Sequence, residues 1–565
     1  MSDTTTLPSP SRHRPVRRLP LKAALRLGRP SDTWFKPALS VVVASLVPNL
    51  ILLSLDRLDL VMYTMAGSLC ALYGHHLPYA RRAGTVARVV LGMLAGLAVA
   101  LITASLTDST AILIAVGALL AAAQKALVDA SRVGPPAHVI FTFVTSAALF
   151  APQQLDQVPG HLALTLAVGA FSWCVTVGPA LLRREGPERR ATARALDAAA
   201  AYTADPDPRS RHTAATAVHS AWQTLLAAGR PSPERRALER LVVTAEAAFA
   251  GRGDAPAAVT DPARLRAWAA RTRARGPVPV APDVPGATAE LFGIDAERAG
   301  RSRRDARRTM LRALGPGSPL LPIAVRTLIG CALAGYVCMA LGVGRPYWAI
   351  VTAASLYQAN VTLTWNRALQ RTLGNLVGVL VFAAILPLSR IGGLALVLCC
   401  LFFNFAAEAL ITRNYWLGSV AVTPMALLVL EFGGAHPAGE LIGDRVLDTL
   451  VGAAVGFLVT VAVTNKRATG RVERALAAVE AVRADSVRVL AQSAPAPAAL
   501  DASRRRLTAA LVELREAGDT AAGEWWQRAL PEEELLAAER AAHRTLAATA
   551  RRQGLIFPTP ENGAV

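Results

Sequence analysis

At 565 residues, 53% of them hydrophobic and with the charges gathered outside long apolar blocks, the chain is neither a disordered nor an ordinary soluble protein. Uninterrupted apolar runs of about 20 residues recur, which a soluble core does not need and a bilayer crossing does. The formal net charge of +20, from 60 Lys and Arg against 40 Asp and Glu, would suggest nucleic acid on a soluble surface; here it lies in the N-terminal tail, alternate loops and two Arg-rich segments, as cytoplasmic retention of basic loops predicts, so nucleic acid is not an expected partner.

Residues 1–36 are polar, Pro-rich and basic, with Arg12, Arg14, Arg17, Arg18, Lys22, Arg26 and Arg29. No small-residue cleavage site follows the first apolar block, so this segment is expected to be a cytoplasmic tail rather than a signal peptide. Leu19 to Leu27 admits two readings, a short basic amphipathic helix on the lipid surface or a disordered tail.

Residues 37–182 hold apolar spans at about 37–55, 59–76, 86–106, 109–128, 134–151 and 161–182. Arg81, Arg82 and Arg88, then Lys125 and Arg132, then Arg183 and Arg184 fall in alternate loops. The intervening loops hold Arg57 alone or, at Pro152 to Gly160, no basic residue. That bias predicts a cytoplasmic N-terminus and a return to the cytoplasm after six spans. Residues 183–319 read as a cytoplasmic helical domain rich in Ala and Arg. Its helical patterns lie near 189–203, 212–228, 233–250 and 288–314, with a Pro-rich linker from Gly276 to Gly286.

Residues 320–464 hold a second set of spans at about 321–342, 346–363, 372–388, 391–411, 414–432 and 446–464. Arg345 to Gly378 reads as a membrane hairpin whose turn carries Trp365, Asn366, Arg367 and Arg371. Gly374 and Gly378 fall on one helix face, where a neighbouring backbone can approach closely. Arg367, Arg371 and Arg413 are expected in cytoplasmic loops, and Arg345, Arg390 and Arg445 singly on the outer side. Residues 465–565 return to amphipathic helix, broken near Pro495 to Pro497, with Trp525 and Trp526 as an expected packing anchor.

The fold class expected is therefore an all-α polytopic membrane protein of two parallel repeats, each of six transmembrane helices followed by a cytoplasmic helical domain. Arg57-x6-Thr64 sits where Arg345-x6-Thr352 sits, and Arg88 with Gly92 and Gly96 echoes Arg371 with Gly374 and Gly378. An even span count gives both halves one orientation, with the interface between them as the natural pathway. Both termini are then cytoplasmic, the bilayer is the constant partner, and a homo-oligomer is compatible with the pattern.

Ionisable groups within spans carry most of the chemical signal, because a central charge costs on the order of 2.5–3.5 kcal/mol on insertion scales. Glu408 stands about one turn from the cytoplasmic end of its span, with Asn404, Arg413, Asn414 and Tyr415 nearby in sequence. It reads either as a carboxylate paired with Arg413 or Arg371, or as a proton-coupling group beside a basic substrate site. Arg367 and Arg371 are positive-inside anchors or carboxylate binders, since a guanidinium fork matches a carboxylate. Arg445 and Asp448 read as an intrahelical pair. Gln124, Lys125, Asp129 and Arg132 form a comparable polar span end in the first half. Val422-Thr423-Pro424 is expected to break a helix within the membrane, with Thr142 and Thr145 as first-half counterparts. His75, His76 and His138 read as interfacial or relay histidines. Cys70, Cys174, Cys331, Cys338, Cys399 and Cys400 lack metal spacing and read as small apolar residues. No phosphate-binding G-x4-G-K-[ST], nucleophile-elbow or H-E-x-x-H motif occurs, so neither an enzyme nor a metal or other cofactor is expected.

R-P-Y-W-A-I-V-T from Arg345, R-A-L-Q-R-T-L-G-N-L-V-G from Arg367, and R-N-Y-W-L-G-S-V-A-V-T-P-M-A-L-L-V-L-E from Arg413 to Glu431 resemble the second half of the fusaric acid resistance family. The resemblance covers about 320–465; the first half matches by architecture, with Tyr63-Thr64 in place of Tyr-Trp-Ala. It implies a bacterial inner-membrane efflux protein for small organic anions, with aromatic carboxylic acids among the substrates. The resemblance carries over no site residues; on the reading of the residues themselves, those assigned to anion attraction or substrate contact are Arg367, Arg371, Arg413, Trp348, Thr352, Asn404, Tyr415 and Thr423. Glu408 is assigned to proton coupling and the proton-motive force to the drive. The family is similar to aluminium-activated malate transporters, which gives a passive anion channel as the second reading; a non-transporting scaffold for cytoplasmic partners is the third.

Overall fold

The computed structural model describes Leu25, Leu27 and residues 34–75, 77–131, 133–181, 185–228, 232–249, 261–274, 276–281, 315, 318, 320–357, 361–462, 471–521 and 532–552. The expected basic tail helix, His76, Arg132, Arg183, Arg184, the 288–314 helix and the Trp525-Trp526 anchor lie outside the described residues.

The protein is all-helical over the described residues. The first half runs α1 Phe35–Ser54, α2 Leu58–Leu72, α3 Tyr79–Leu106, α4 Thr110–Ser131, α5 Val139–Leu149 and α6 Leu155–Leu181. A polar bundle follows, α7 Gly186–Ala204, α8 Pro208–Ala227, α9 Pro233–Phe249 and α10 Pro262–Arg273. The second half runs α11 Leu321–Ala340, α12 Tyr347–Leu356, α13 Val361–Ser389, α14 Gly393–Ile411, α15 Tyr415–Glu431 and α16 Ala438–Ala462. A second polar bundle holds α17 Arg471–Leu490, α18 Pro497–Ala521 and α19 Glu532–Arg552.

Among the described residues eight helices are long and apolar enough to cross a membrane: α1, α3, α4, α6, α11, α13, α14 and α16. Twelve full-length spans were the expectation. The other four positions hold the shorter α2, α5, α12 and α15. The 10 residues of α12 reach roughly 15 Å at 1.5 Å per residue, about half a hydrocarbon core. An apolar run long enough to span had absorbed loop residues on either side of a short helix. The order long, short, long, long, short, long is the same in both halves.

Close helix contacts depend on small residues. On α13, a Cβ at Gly374 would meet the Trp416 carbonyl at 2.6 Å, and one at Gly378 would meet the Val420 carbonyl at 2.8 Å. The shared glycine face therefore packs directly on the backbone of α15. On α16, Gly452 and Gly456 play the same part towards Ala349, Thr352 and Ala353 of α12. Between halves the packing is reciprocal: α1 lies on α14, and α11 lies on α4. Leu91, Leu380, Phe402 and Leu458 stand out from the packed helices, each more than 60% exposed, as side chains facing lipid rather than water do. The chain is a polytopic membrane protein.

Two further expectations are corrected. Trp365, Asn366, Arg367 and Arg371 are not in a turn but inside α13, whose Arg, Leu and Gln residues favour helix. Val422-Thr423-Pro424 does not break α15, which runs continuously with Pro424 inside it. Thr423 Oγ1 donates to the Ser419 carbonyl at 2.9 Å. The Val420 carbonyl, deprived of its intrahelical donor by Pro424, faces Gly378.

In the first polar bundle Leu196, Leu225, Leu238, Leu241, Val242 and Leu265 form a buried core. Its helix α10 was not expected; its signal is Asp261-Pro262, where Asp261 accepts from the Ala263 N–H at 2.9 Å and caps the start. Glu188, in the first turn of α7, is fully buried, and neither carboxylate oxygen has a hydrogen-bond partner. Burial raises its carboxyl above the ordinary value, against its own N–H and the guanidinium of Arg235, 3.8 Å away. A raised carboxyl contributes stability that is present at low pH and lost as pH rises towards its folded value. Glu188→Gln is therefore expected to raise the melting temperature by a few degrees at pH 8 and hardly at all near pH 4, read by thermal melting in detergent. Equal melting at pH 8 would contradict this.

Candidate functional site

The second half gathers a line of buried cations where α12, α13, α15 and α16 meet. It begins at Tyr415, the first residue of α15. Asn414 caps that helix, its Oδ1 accepting from the Trp416 N–H at 3.2 Å, and so fixes where Tyr415 points. The Arg367 guanidinium lies over the Tyr415 ring, 3.6 Å from its centroid. One turn along α13, Arg371 donates from Nη1 to the Tyr415 hydroxyl at 2.9 Å. One tyrosine thus holds two arginines, by its ring face and by its oxygen. Arg371 is 4% exposed and its Nε has no partner. Ten residues into α13, it lies roughly 15 Å from the helix start and well inside the fold.

Deeper along α13, Asn375 ties three helices together. Its Oδ1 accepts from Thr423 Oγ1 on α15 at 2.7 Å, and its Nδ2 donates to Thr449 Oγ1 on α16 at 3.0 Å. Beside this clasp Thr352, on α12, is fully buried with its hydroxyl unpartnered. Beyond it, the guanidinium of Arg445 on α16 lies over the Trp348 ring, 4.0 Å from the centroid. Trp348 in turn packs against Tyr347 (centroids 4.9 Å apart) and Phe143 of α5 (5.6 Å). Arg445 is 1% exposed, and none of its three nitrogens has a hydrogen-bond partner. Asp448, one turn on, is fully buried against the Cys338 thiol and neither of its oxygens pairs with Arg445, so the expected Arg445–Asp448 pair is not formed. Facing side chains at i and i+3 meet only if their rotamers converge, and the cation is drawn to the indole face instead.

The structure brings Arg367, Arg371, Tyr415, Thr423, Trp348 and Thr352 to this line. It does not bring the others. Arg413 is exposed in the turn between α14 and α15. Glu408 and Asn404 lie one turn apart on α14, Asn404 buried and Glu408 partly so, and Glu408 forms no ion pair with Arg371 or Arg413. The pairing reading of Glu408 is not observed: α14 turns that face towards α1 and the first half, where Tyr73 lies within electrostatic range. Asn375, Arg445 and Asp448 were not assigned to the site; the signal available was the recurrence of polar side chains at i+4 on α13, Arg367, Arg371 and Asn375.

The first half has the same order of long and short helices but, among the described residues, carries no such line. Gly96 faces Thr145 of α5 as Gly378 faces Thr423, and Gln124 joins Thr142 and Thr145 at 3.2 Å each. Yet Arg88 is exposed and bonds its own helix at the Gly84 carbonyl. Lys125 is neutralised by Asp129 at 2.7 Å. Arg82 is buried, but the carbonyls of Gly74, His75, Leu77 and Thr176 surround it. His138 reaches across to the second half, its Nε2 3.1 Å from the Ala354 carbonyl at the end of α12.

The three motifs that meet here fall within residues 328–459, which match the family described as fusaric acid resistance protein-like. Over these residues the second membrane half is similar to that family. Relatives of the chain include the uncharacterized membrane protein YvaC of Bacillus subtilis, 31% identical over 37% of this chain and 32% of that protein. An uncharacterized protein of Haemophilus influenzae is 32% identical over 25% of this chain and 19% of its own length. The uncharacterized protein YhfK of Escherichia coli K12 is 26% identical over 34% of this chain and 27% of its own. The matched stretches thus span a third or less of each relative. No solved structure matches the chain.

Within this segment, Tyr415→Phe keeps the ring under Arg367 but strands Arg371. Loss of a charged hydrogen bond in a buried site costs about 1.5–3 kcal/mol, so the purified variant is expected to melt clearly below wild type. Unchanged melting would remove Tyr415 as the partner on which Arg371 depends.

Proposed function

We propose that the protein is an inner-membrane exporter of small organic anions, aromatic carboxylic acids among them, driven by the proton-motive force. The observation that carries this is the interior line Arg367, Arg371 and Arg445, two guanidinia resting on aromatic faces and one on a phenol oxygen, with no carboxylate paired to any of them. Cations held in a low-dielectric interior with no carboxylate in ion-pair contact attract anions, and aromatic faces alongside suit a flat ring. Arg413, exposed at the turn beside α15, adds positive charge at the cytoplasmic mouth. Glu408 serves as the proton-coupling carboxylate; its place on α14, which packs on α1, without an ion pair among the described residues, supports that role. Asn404, on the same face one turn away, belongs with it.

The two halves are read as copies of one unit with their polar bundles, at 183–319 and 465–565, both in the cytoplasm. The shared order of long and short helices supports this, as does the reciprocal pairing of α1 with α14 and of α11 with α4.

The test is efflux of labelled p-hydroxybenzoate from cells expressing wild type or Glu408→Gln, with and without a protonophore. Export is expected to collapse with the protonophore and with the substitution. Export unaffected by either would remove protons and Glu408 from the mechanism and favour the passive channel.

A further inference from the structure

We infer that Arg445 and the aromatic wall behind it form the anion-binding site itself, deep in the membrane, for a planar monocarboxylate joined to an aromatic ring. This rests on the reading of the protein as an organic-anion transporter and adds where the anion is held.

A buried guanidinium without acceptors is costly, since a polar group removed from water and left unpaired loses the full value of its hydration. The fold had a remedy within reach. Asp448 is one turn away on the same helix, against the Cys338 thiol of α11, yet it does not form an ion pair with Arg445. The face of Arg445 is taken by Trp348, 4.0 Å from the ring centroid, which leaves the edge of the guanidinium, where its N–H groups point, without acceptors. That edge is a planar fork whose geometry suits the two oxygens of one carboxylate. One turn beyond Trp348 on α12, Thr352 holds a buried and unpartnered hydroxyl. Tyr347 and Phe143 each pack against the Trp348 ring there, an aromatic cluster suited to an aromatic ligand.

The depth fits an internal station rather than a mouth. Arg445 lies seven residues into α16, roughly 10 Å from that end of the helix. The wall is built by both halves, because Phe143 comes from α5 while Tyr347 and Trp348 come from α12. A movement of one half against the other would therefore open or rebuild it. Arg367 and Arg371 lie nearer the start of α13 and have Tyr415 as a partner already, so they guide an anion inward.

The test uses the full-length chain in lipid nanodiscs, with binding of radiolabelled benzoate measured by equilibrium dialysis. Wild type and Arg88→Gln, an exposed position, are expected to bind alike. Arg445→Lys keeps the charge but not the fork and is expected to weaken binding at least about tenfold. Arg445→Met is expected to abolish binding and to melt higher than wild type, because an unpaired charge leaves the interior. An Arg445→Met chain that melts lower or fails to fold marks the guanidinium as structural and overturns the inference. So does wild-type binding by Arg445→Lys or Arg445→Met; if the protein still exports p-hydroxybenzoate, the transporter reading survives and only the location of the site falls. A wild type that neither binds benzoate nor exports p-hydroxybenzoate overturns both.

Discussion

A guanidinium taken out of water needs acceptors or an aromatic face, and the second half is arranged around that need. Tyr415 meets it for Arg367 and Arg371, and Trp348 meets part of it for Arg445. Each aromatic residue sits at the start of a short helix. Tyr415 opens α15 behind its Asn414 cap, and Trp348 lies in the first turn of α12. The short helices thus have a function that full-length spans would not serve: their ends fall inside the protein and carry aromatic side chains to depths where long helices present cations.

The glycines make this geometry possible. Without a Cβ at Gly374 and Gly378, α13 lies against the backbone of α15, so Arg371 can reach Tyr415 and Asn375 can reach Thr423. Gly452 and Gly456 set α12 equally close to α16, which puts Trp348 over Arg445. Packing through small residues is the usual means of joining helices where lipid supplies no hydrophobic drive between them. Here it also fixes the distances among charged groups. The first half has the same packing at Gly96 but leaves Arg88 outside and neutralises Lys125 with Asp129. The two halves share an order of long and short helices and differ in electrostatics.

Much of this was legible in the sequence because membrane folding is dominated by apolar length and small-residue spacing. The long helices, the glycine face of α13 and the polar bundles around Leu241 and Leu511 all follow from such patterns. What escaped was three-dimensional. Hydropathy cannot tell a short helix with apolar flanks from a crossing, so α12 read as a full span. Arginines near a span end read as loop residues, although helix propensity favours continuing through Arg367 and Arg371. Arg445 and Asp448 have pairing spacing, and nothing in a linear sequence says that an indole 97 residues earlier takes the cation's face. Thr423 was visible as a polar residue beside Pro424, but its partner Asn375 lies on another helix.

The central claim is that protons drive anions along this interior line. Its most direct measurement is uptake of labelled benzoate into proteoliposomes with an imposed pH gradient and the membrane voltage clamped at zero by potassium and valinomycin. The account predicts accumulation above the equilibrium level that non-ionic diffusion gives in protein-free vesicles, abolished when Glu408 is replaced by glutamine. Benzoate that only equilibrates, together with a voltage-driven benzoate current in the absence of a pH gradient, would contradict it and identify a passive anion channel.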